Sequence, residues 1–195
     1  MADKPISRYP IPDINDLPED IKSTILEVQE QSGFIPNVFV ALAHRPDEFR
    51  AFFAYHNALI GKEGGLTLTE KEMIIVATSA HNNCIYCVVA HGAILRIRAK
   101  DALIADQVAT NYRKADITPR QMAMLDFTTK VATDSAGIDE ADCEALRAYE
   151  FSDEDIWDIV AISGLYSLSN RMANFARIRP NDEFYLMGRV SKSDC

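Results

Sequence analysis

The chain has 195 residues, a formal net charge of −9 and 48% hydrophobic residues, which fits one domain with a substantial core. So acidic a balance argues against nucleic acid, whose phosphates call for Lys and Arg, and against anionic membrane surfaces. Residues 1–12 are polar and punctuated by proline, without the apolar stretch of a secretory leader. No apolar run approaches the roughly 18 residues of a membrane span, so a soluble, cytoplasmic protein is expected.

Prolines at positions 5, 10, 12 and 18 make residues 1–18 an extended arm, because proline fixes φ and lacks an N–H donor. From Glu19 the pattern turns helical: Ile21, Ile25, Leu26 and Val28 recur at three-to-four spacing. Gly33 is expected to cap that helix. "IPNVFVALAHRP" reads as a short apolar helix stopped by Pro46, and "DEFRAFFAYHNALI" as another that buries Phe49, Phe52, Phe53 and Leu59 before "GKEGG" breaks it. "LTEKEMIIVATSA" is expected to start a helix with Thr69 as N-cap, and "HNNCIYCVVAHGAILRIRAK" continues the block. Further helices are expected from Asp101 to about Tyr112, Pro119 to Ala136, Asp139 to Tyr149, and Ser152 to about Ala176. Strand-type alternation is nearly absent, which predicts an all-α fold.

"LTEKEMIIVATSAHNNCIYCVVAH" aligns with "FSDEDIWDIVAISGLYSLSNRMAN", laying Glu72 on Asp155, Cys87 on Asn170 and His91 on Asn174. This echo predicts one domain built from two related helical-hairpin units, about 19–112 and a degenerate second at about 113–176. The arm 1–18 precedes them. The tail 177–195 follows, packed on another element or subunit.

Of the four cysteines, Cys143 lies in polar "DEADCEAL" and Cys195 is the last residue, so both read as bystanders. Cys84 and Cys87 form a C-x-x-C pair, which in a cytosolic chain points to redox chemistry or metal rather than a disulfide framework. At about 100° per residue, with Cys84 at zero, Cys87 lies near 300° and His91 near 340°. The three therefore share one helical face, with His91 one turn above Cys87. Tyr86, near 200°, reads as packing. Asn82 and Asn83 suit a break, with Asn83 as N-cap and Cys84 in the first turn, where the helix dipole lowers a thiol pKa. Thiols at this spacing can close a disulfide once one is oxidised. If the chain ran straight, Glu72 would be about 18 Å from Cys84. A fold-back at the asparagines puts Glu72 about 15 Å and His91 about 12 Å from the hinge, so a Glu72–His91–cysteine relay becomes feasible. His81 reads as a capping or surface residue. His44 and His56 show no partner pattern, and Trp157 reads as core or interface.

"H-x2-C-x2-C-x3-H" also offers four zinc ligands, but three on one helical face do not readily surround an ion tetrahedrally. No metal is expected. Other readings are a dithiol–disulfide oxidoreductase, an acid–base lyase, and a non-enzymatic helical assembly protein with a structural Cys/His site.

The run "E-K-E-M…H-N-N-C-I-Y-C-V-V-A-H-G", with its Glu-x11-Cys-x2-Cys-x3-His spacing, resembles the alkylhydroperoxidase D-like branch of the carboxymuconolactone decarboxylase superfamily. "GFIPNVFVALAHRP" and "NRMANFARIRPNDEFYLMGR" extend the resemblance to its peroxidase-related subgroup over nearly the full length. The resemblance implies an AhpD-like helical fold and thiol-dependent reduction of hydrogen peroxide or organic hydroperoxides. Under it Cys87 is the peroxidatic thiol, Cys84 resolves, and Glu72 and His91 relay protons. It implies no cofactor, an external dithiol reductant, and a homotrimer or homohexamer. The decarboxylase branch lacks the cysteine pair, which argues against the lyase reading. The sequence departs from the best-described members at Tyr86, where they carry histidine; a phenol is no base near neutral pH. The helix dipole by itself favours Cys84 as the more acidic thiol, whereas the resemblance and the nearness of His91 favour Cys87 as the one that attacks.

Overall fold

The computed structural model describes residues 4–189, so Cys195 and the end of the tail lie outside the described residues. All regular structure among those residues is helical. The α-helices are α1 Glu19–Ser32, α2 Asn37–Leu42, α3 Pro46–Ile60, α4 Leu68–His81, α5 Ile85–Ala99, α6 Ile104–Asn111, α7 Pro119–Thr133, α8 Glu140–Arg147, α9 Asp153–Ala176 and α10 Glu183–Leu186. No helix among them is long and apolar enough to cross a membrane.

Helix α4 is the axis of the molecule, and α5, α6, α7 and α9 pack around it. Every residue from Glu70 to Ser79 is buried, as expected of a helix surrounded on all sides. The main core joins Met73, Ile74, Ile75 and Val76 of α4 to Leu125 of α7 and Ile159 and Ile162 of α9. A smaller cluster gathers Cys84, Cys87 and Ala90 with Ala173 and Phe184.

Several local expectations change. The N-cap of α4 is Thr67, not Thr69. The Thr67 hydroxyl accepts from the Glu70 N–H at 3.2 Å and the Glu70 carboxylate accepts from the Thr67 N–H at 2.9 Å, the reciprocal capping box that a Glu at the third position permits. Asp101 does not open α6, because its carboxylate accepts from the Leu103 N–H at 2.8 Å and folds the chain into a turn first. Residues 153–176, aligned above with a broken helical pair, form one continuous helix. Ser152 caps α9, but no left-handed residue interrupts it where Asn83 divides α4 from α5.

The tail packs on its own chain. Helix α10 lies against α5, and the buried Arg96 guanidinium donates to the Phe184 and Met187 carbonyls at 2.8 and 2.9 Å. Gly188 sits at φ +72, and a Cβ there would come within 2.8 Å of the Arg96 Cβ, so the tail approaches α5 as only glycine allows. The N-terminal arm runs beside the end of α9, with the Arg8 N–H donating to the Ala176 carbonyl at 2.8 Å.

Lys71 is 1% exposed, and its ammonium donates to the Leu59, Ile60 and Lys62 carbonyls at 3.0, 3.1 and 2.6 Å. It thereby closes the open end of α3. Lys71→Met keeps the stem and strands those carbonyls. The expected loss is about 2–3 kcal/mol, since one buried group left unsatisfied costs roughly 1–3. Urea unfolding of the two proteins checks it, and an unchanged midpoint would refute the capping role.

Candidate active site

The break between α4 and α5 builds the site. Asn83 has φ +52, a left-handed conformation that asparagine tolerates better than most residues. The Asn83 and Cys84 N–H groups donate back to the Ala80 and Ser79 carbonyls at 3.0 and 2.9 Å, which closes α4 in a Schellman pattern. Cys84 then serves as N-cap of α5, its sulfur accepting from the Cys87 N–H at 3.4 Å. The expected cap, Asn83, is thus corrected: its tolerance of positive φ is used, and the next residue does the capping. Asparagines on α9 fasten the corner. Asn170 accepts from the Asn82 amide and donates to Ser79, both at 3.0 Å, and Asn174 donates to the Asn82 carbonyl at 3.1 Å.

All four residues singled out by spacing meet here. The fold-back sets α5 against α4, and the Glu72 carboxylate, 2% exposed, accepts from His91 Nδ1 at 2.8 Å. Its other oxygen pairs with Arg98 at 3.1 Å. Cys84 and Cys87 are free thiols, 0% and 2% exposed. The Cys84 pKa falls to about 7, chiefly because the Cys87 thiol donates to it, with help from the Cys87 backbone N–H, the Asn170 amide and the His91 charge. The adjacent Cys84 sulfur and burial push the Cys87 thiol well above its ordinary value. Of the two thiols, Cys84 is therefore the more acidic.

A cavity of about 420 Å³ opens onto Cys87 and His91 but not onto Cys84. It runs between α1, α2, α3, α5, α9 and α10, with Phe39, Phe52, Phe53 and Phe184 in its walls. The more acidic thiol and the thiol that faces the cavity are thus different residues. Tyr86 also reaches the cavity; it is buried, and its hydroxyl accepts from the Val38 N–H at 3.1 Å, tying α2 to α5. Burial raises its pKa. His81 is exposed, and among the described residues no group of three or more His, Cys, Asp or Glu could hold a metal ion. Cys143 packs at the edge of the main core.

Some site residues carry no local sequence signal. Tyr166 and His56 line the cavity from α9 and α3, and the Ser169 hydroxyl lies 4.0 Å from the Cys87 sulfur. Burial lowers the His56 pKa. Arg98 had a weak signal, being seven residues after His91 and so on the same helical face. Asn170 had one too, as the residue aligned with Cys87.

The family model for the carboxymuconolactone decarboxylase family matches residues 46–109, the span that holds Glu72, Cys84, Cys87 and His91. A solved structure from Ralstonia eutropha JMP134, described as an alkylhydroperoxidase AhpD core and an uncharacterized peroxidase-related protein, is 66% identical. It covers 97% of this chain and 100% of its own, with a TM-score of 0.96. An uncharacterized peroxidase-related protein from Silicibacter sp. TM1040 is 38% identical over 97% of this chain and 99% of its own, with a TM-score of 0.91. The debrominase Bmp8, solved with 2,3,4-tribromopyrrole, shares the fold at 18% identity, covering 95% of this chain and 96% of its own at a TM-score of 0.73. No curated protein matches.

Proposed function

The chain belongs to the carboxymuconolactone decarboxylase family, among its AhpD-like, peroxidase-related members, and from that premise we propose that it is a thiol-dependent peroxidase that reduces hydroperoxides through Cys84 and Cys87. The observation that carries this reading is the pairing of a buried dithiol, its Cys84 acidified by the Cys87 thiol, with a buried Glu72–His91 hydrogen bond of 2.8 Å beside a cavity that reaches Cys87. Cys87 attacks. Its proton passes to the Cys84 thiolate, which already accepts from it, so the base is in place before substrate arrives. The Cys87 sulfur bonds to the distal peroxide oxygen, the O–O bond breaks with its electron pair on the proximal oxygen, which takes a proton and leaves as water or alcohol, and Cys87 becomes a sulfenic acid. Cys84 then displaces the sulfenic oxygen as water and closes the disulfide. Glu72 orients His91, which hands protons between the site and solvent. An external dithiol returns the pair to the reduced state. No cofactor takes part. The protein works as a homo-oligomer in the cytoplasm.

The test is a thiol count on reduced protein before and after one equivalent of hydroperoxide, run across pH. Two thiols are expected to disappear together, and the rate should rise with pH up to about 7, where Cys84 ionises, and level off above it. The sign follows from the acid: below its pKa the base that accepts the Cys87 proton is itself protonated. An unassisted thiol would instead keep rising to about 8.5. Thiols that survive hours of exposure would refute the reading.

A further inference from the structure

Tyr166 is 2% exposed, yet its hydroxyl makes no hydrogen bond among the described residues. No fully enclosed side-chain polar atom among those residues lacks a partner, so open space must lie beside this hydroxyl. The open space that Tyr166 lines is the cavity shared with Cys87 and His91. The His91 ring packs edge-on against the Tyr166 ring at 4.7 Å between centroids, and His56 packs on it at 6.3 Å. Burial, with the Glu72 carboxylate nearby, holds the phenol's pKa well above its ordinary value, so the oxygen carries its proton and can donate it.

The cavity also describes its ligand. Its walls are mainly aromatic and aliphatic, with a few neutral polar groups such as Thr24, Gln31 and Asn57 and the imidazoles of His56 and His91, and no Asp, Glu, Lys or Arg lines it. A buried ammonium on the ligand would find no carboxylate there, and a buried carboxylate would find only His91, already paired with Glu72, and His56, which burial pushes toward its neutral form; such a group is costly to bury unpaired. At about 420 Å³ the space falls within the range of pockets for small organic molecules, about 300–1,000 Å³. It far exceeds hydrogen peroxide, which is little larger than water, whose share of liquid volume is about 30 Å³.

Resting on the peroxidase reading, we propose that the cavity takes a neutral, apolar organic hydroperoxide of about aromatic-ring size, and that the Tyr166 hydroxyl is the donor to its leaving oxygen. The Cys87 sulfur forms a bond to the distal oxygen and supplies an electron pair, which departs on the proximal oxygen as the O–O bond breaks. The alkoxide so formed takes the phenolic proton of Tyr166 and leaves as the alcohol. The phenolate is reprotonated by way of His91 from solvent. Cys87 is oxidised by two electrons and the hydroperoxide is reduced by two.

The experiment is single-turnover oxidation of the reduced dithiol, in the wild type and in Tyr166→Phe, by cumene hydroperoxide, hydrogen peroxide and perbenzoic acid. Carboxylate is a stable anion and leaves perbenzoic acid without a proton, so a donor is dispensable for that oxidant alone. The wild type should react at least about tenfold faster with cumene hydroperoxide than with hydrogen peroxide, from burial of the ring. Tyr166→Phe should lose about 100-fold with both hydroperoxides, the scale of one missing donor at a developing oxyanion, and stay within about threefold with the peracid. An equal loss with all three oxidants would reduce Tyr166 to a packing residue, and no loss would remove it from the reaction; either overturns the assignment. A wild type that prefers hydrogen peroxide overturns the substrate class. A wild type inert to all three overturns the peroxidase reading itself, and the assignment with it.

Discussion

Cys87→Ser is expected to abolish hydroperoxide turnover, by at least about 10⁴-fold, as loss of an attacking nucleophile does. Cys84→Ser should fail differently. It keeps the sulfur that faces the cavity but loses both the base that accepts the Cys87 proton and the partner that closes the disulfide. Its first turnover should slow by roughly 10- to 100-fold, below or at the low end of what a positioned base contributes, and then stop at a sulfenic acid on Cys87. A sulfenic-acid trap followed by peptide mass spectrometry reads this directly. The two thiols differ in acidity and in access: Cys84 is the acidic one, at about 7, and Cys87 is the one open to the cavity. A trapped sulfenic acid on Cys84 in the Cys87→Ser protein would show that acidity outweighs access and reverse the roles.

Glu72→Gln is expected to lower turnover by about 10²- to 10⁴-fold, comparable at its upper end to the effect of neutralising the carboxylate that orients a catalytic histidine. One Glu72 oxygen accepts from His91 at 2.8 Å and the other forms an ion pair with Arg98 at 3.1 Å. A glutamine keeps only one acceptor, and its amide group turns a donor toward either His91 or Arg98. If it faces His91, the imidazole must change tautomer; if it faces Arg98, a cation loses its partner. Stability should fall as well, by about 1–3 kcal/mol. That is less than the roughly 3–5 of a wholly buried broken pair, because the Arg98 side chain is 28% exposed. Steady-state turnover with a dithiol reductant and urea unfolding measure the two effects separately. Turnover within about threefold of wild type, alongside a lost stability increment, would make Glu72 a structural anchor only.

Much of the helical pattern was readable from local chemistry. Gly33 caps α1 at φ +84 as expected, and Glu19, Pro119 and Ala176 mark observed helix ends. The misplaced ends share a cause. Thr67 rather than Thr69, Cys84 rather than Asn83, and the turn at Asp101 all depend on which side-chain oxygen or sulfur finds a free N–H. Neighbouring polar residues compete for that within a kilocalorie or so. Periodicity sees helices but cannot rank adjacent caps.

The sequence by itself determined which residues could meet at the site. A constant rotation per residue places Cys84, Cys87 and His91 on one face of α5, and an asparagine break lets α4 fold back so that Glu72 reaches His91. These are consequences of one short stretch and of helix geometry. Only the tertiary structure decided that Cys87, not Cys84, opens to the cavity, that Arg98 holds the second Glu72 oxygen, and that Tyr166, His56 and Asn170 join the site. A cavity belongs to no single segment. Its walls come from α1, α2, α3, α5, α9 and α10, and their relative placement is set by burial of cores shared between residues distant in sequence, to which no residue spacing along the chain gives access.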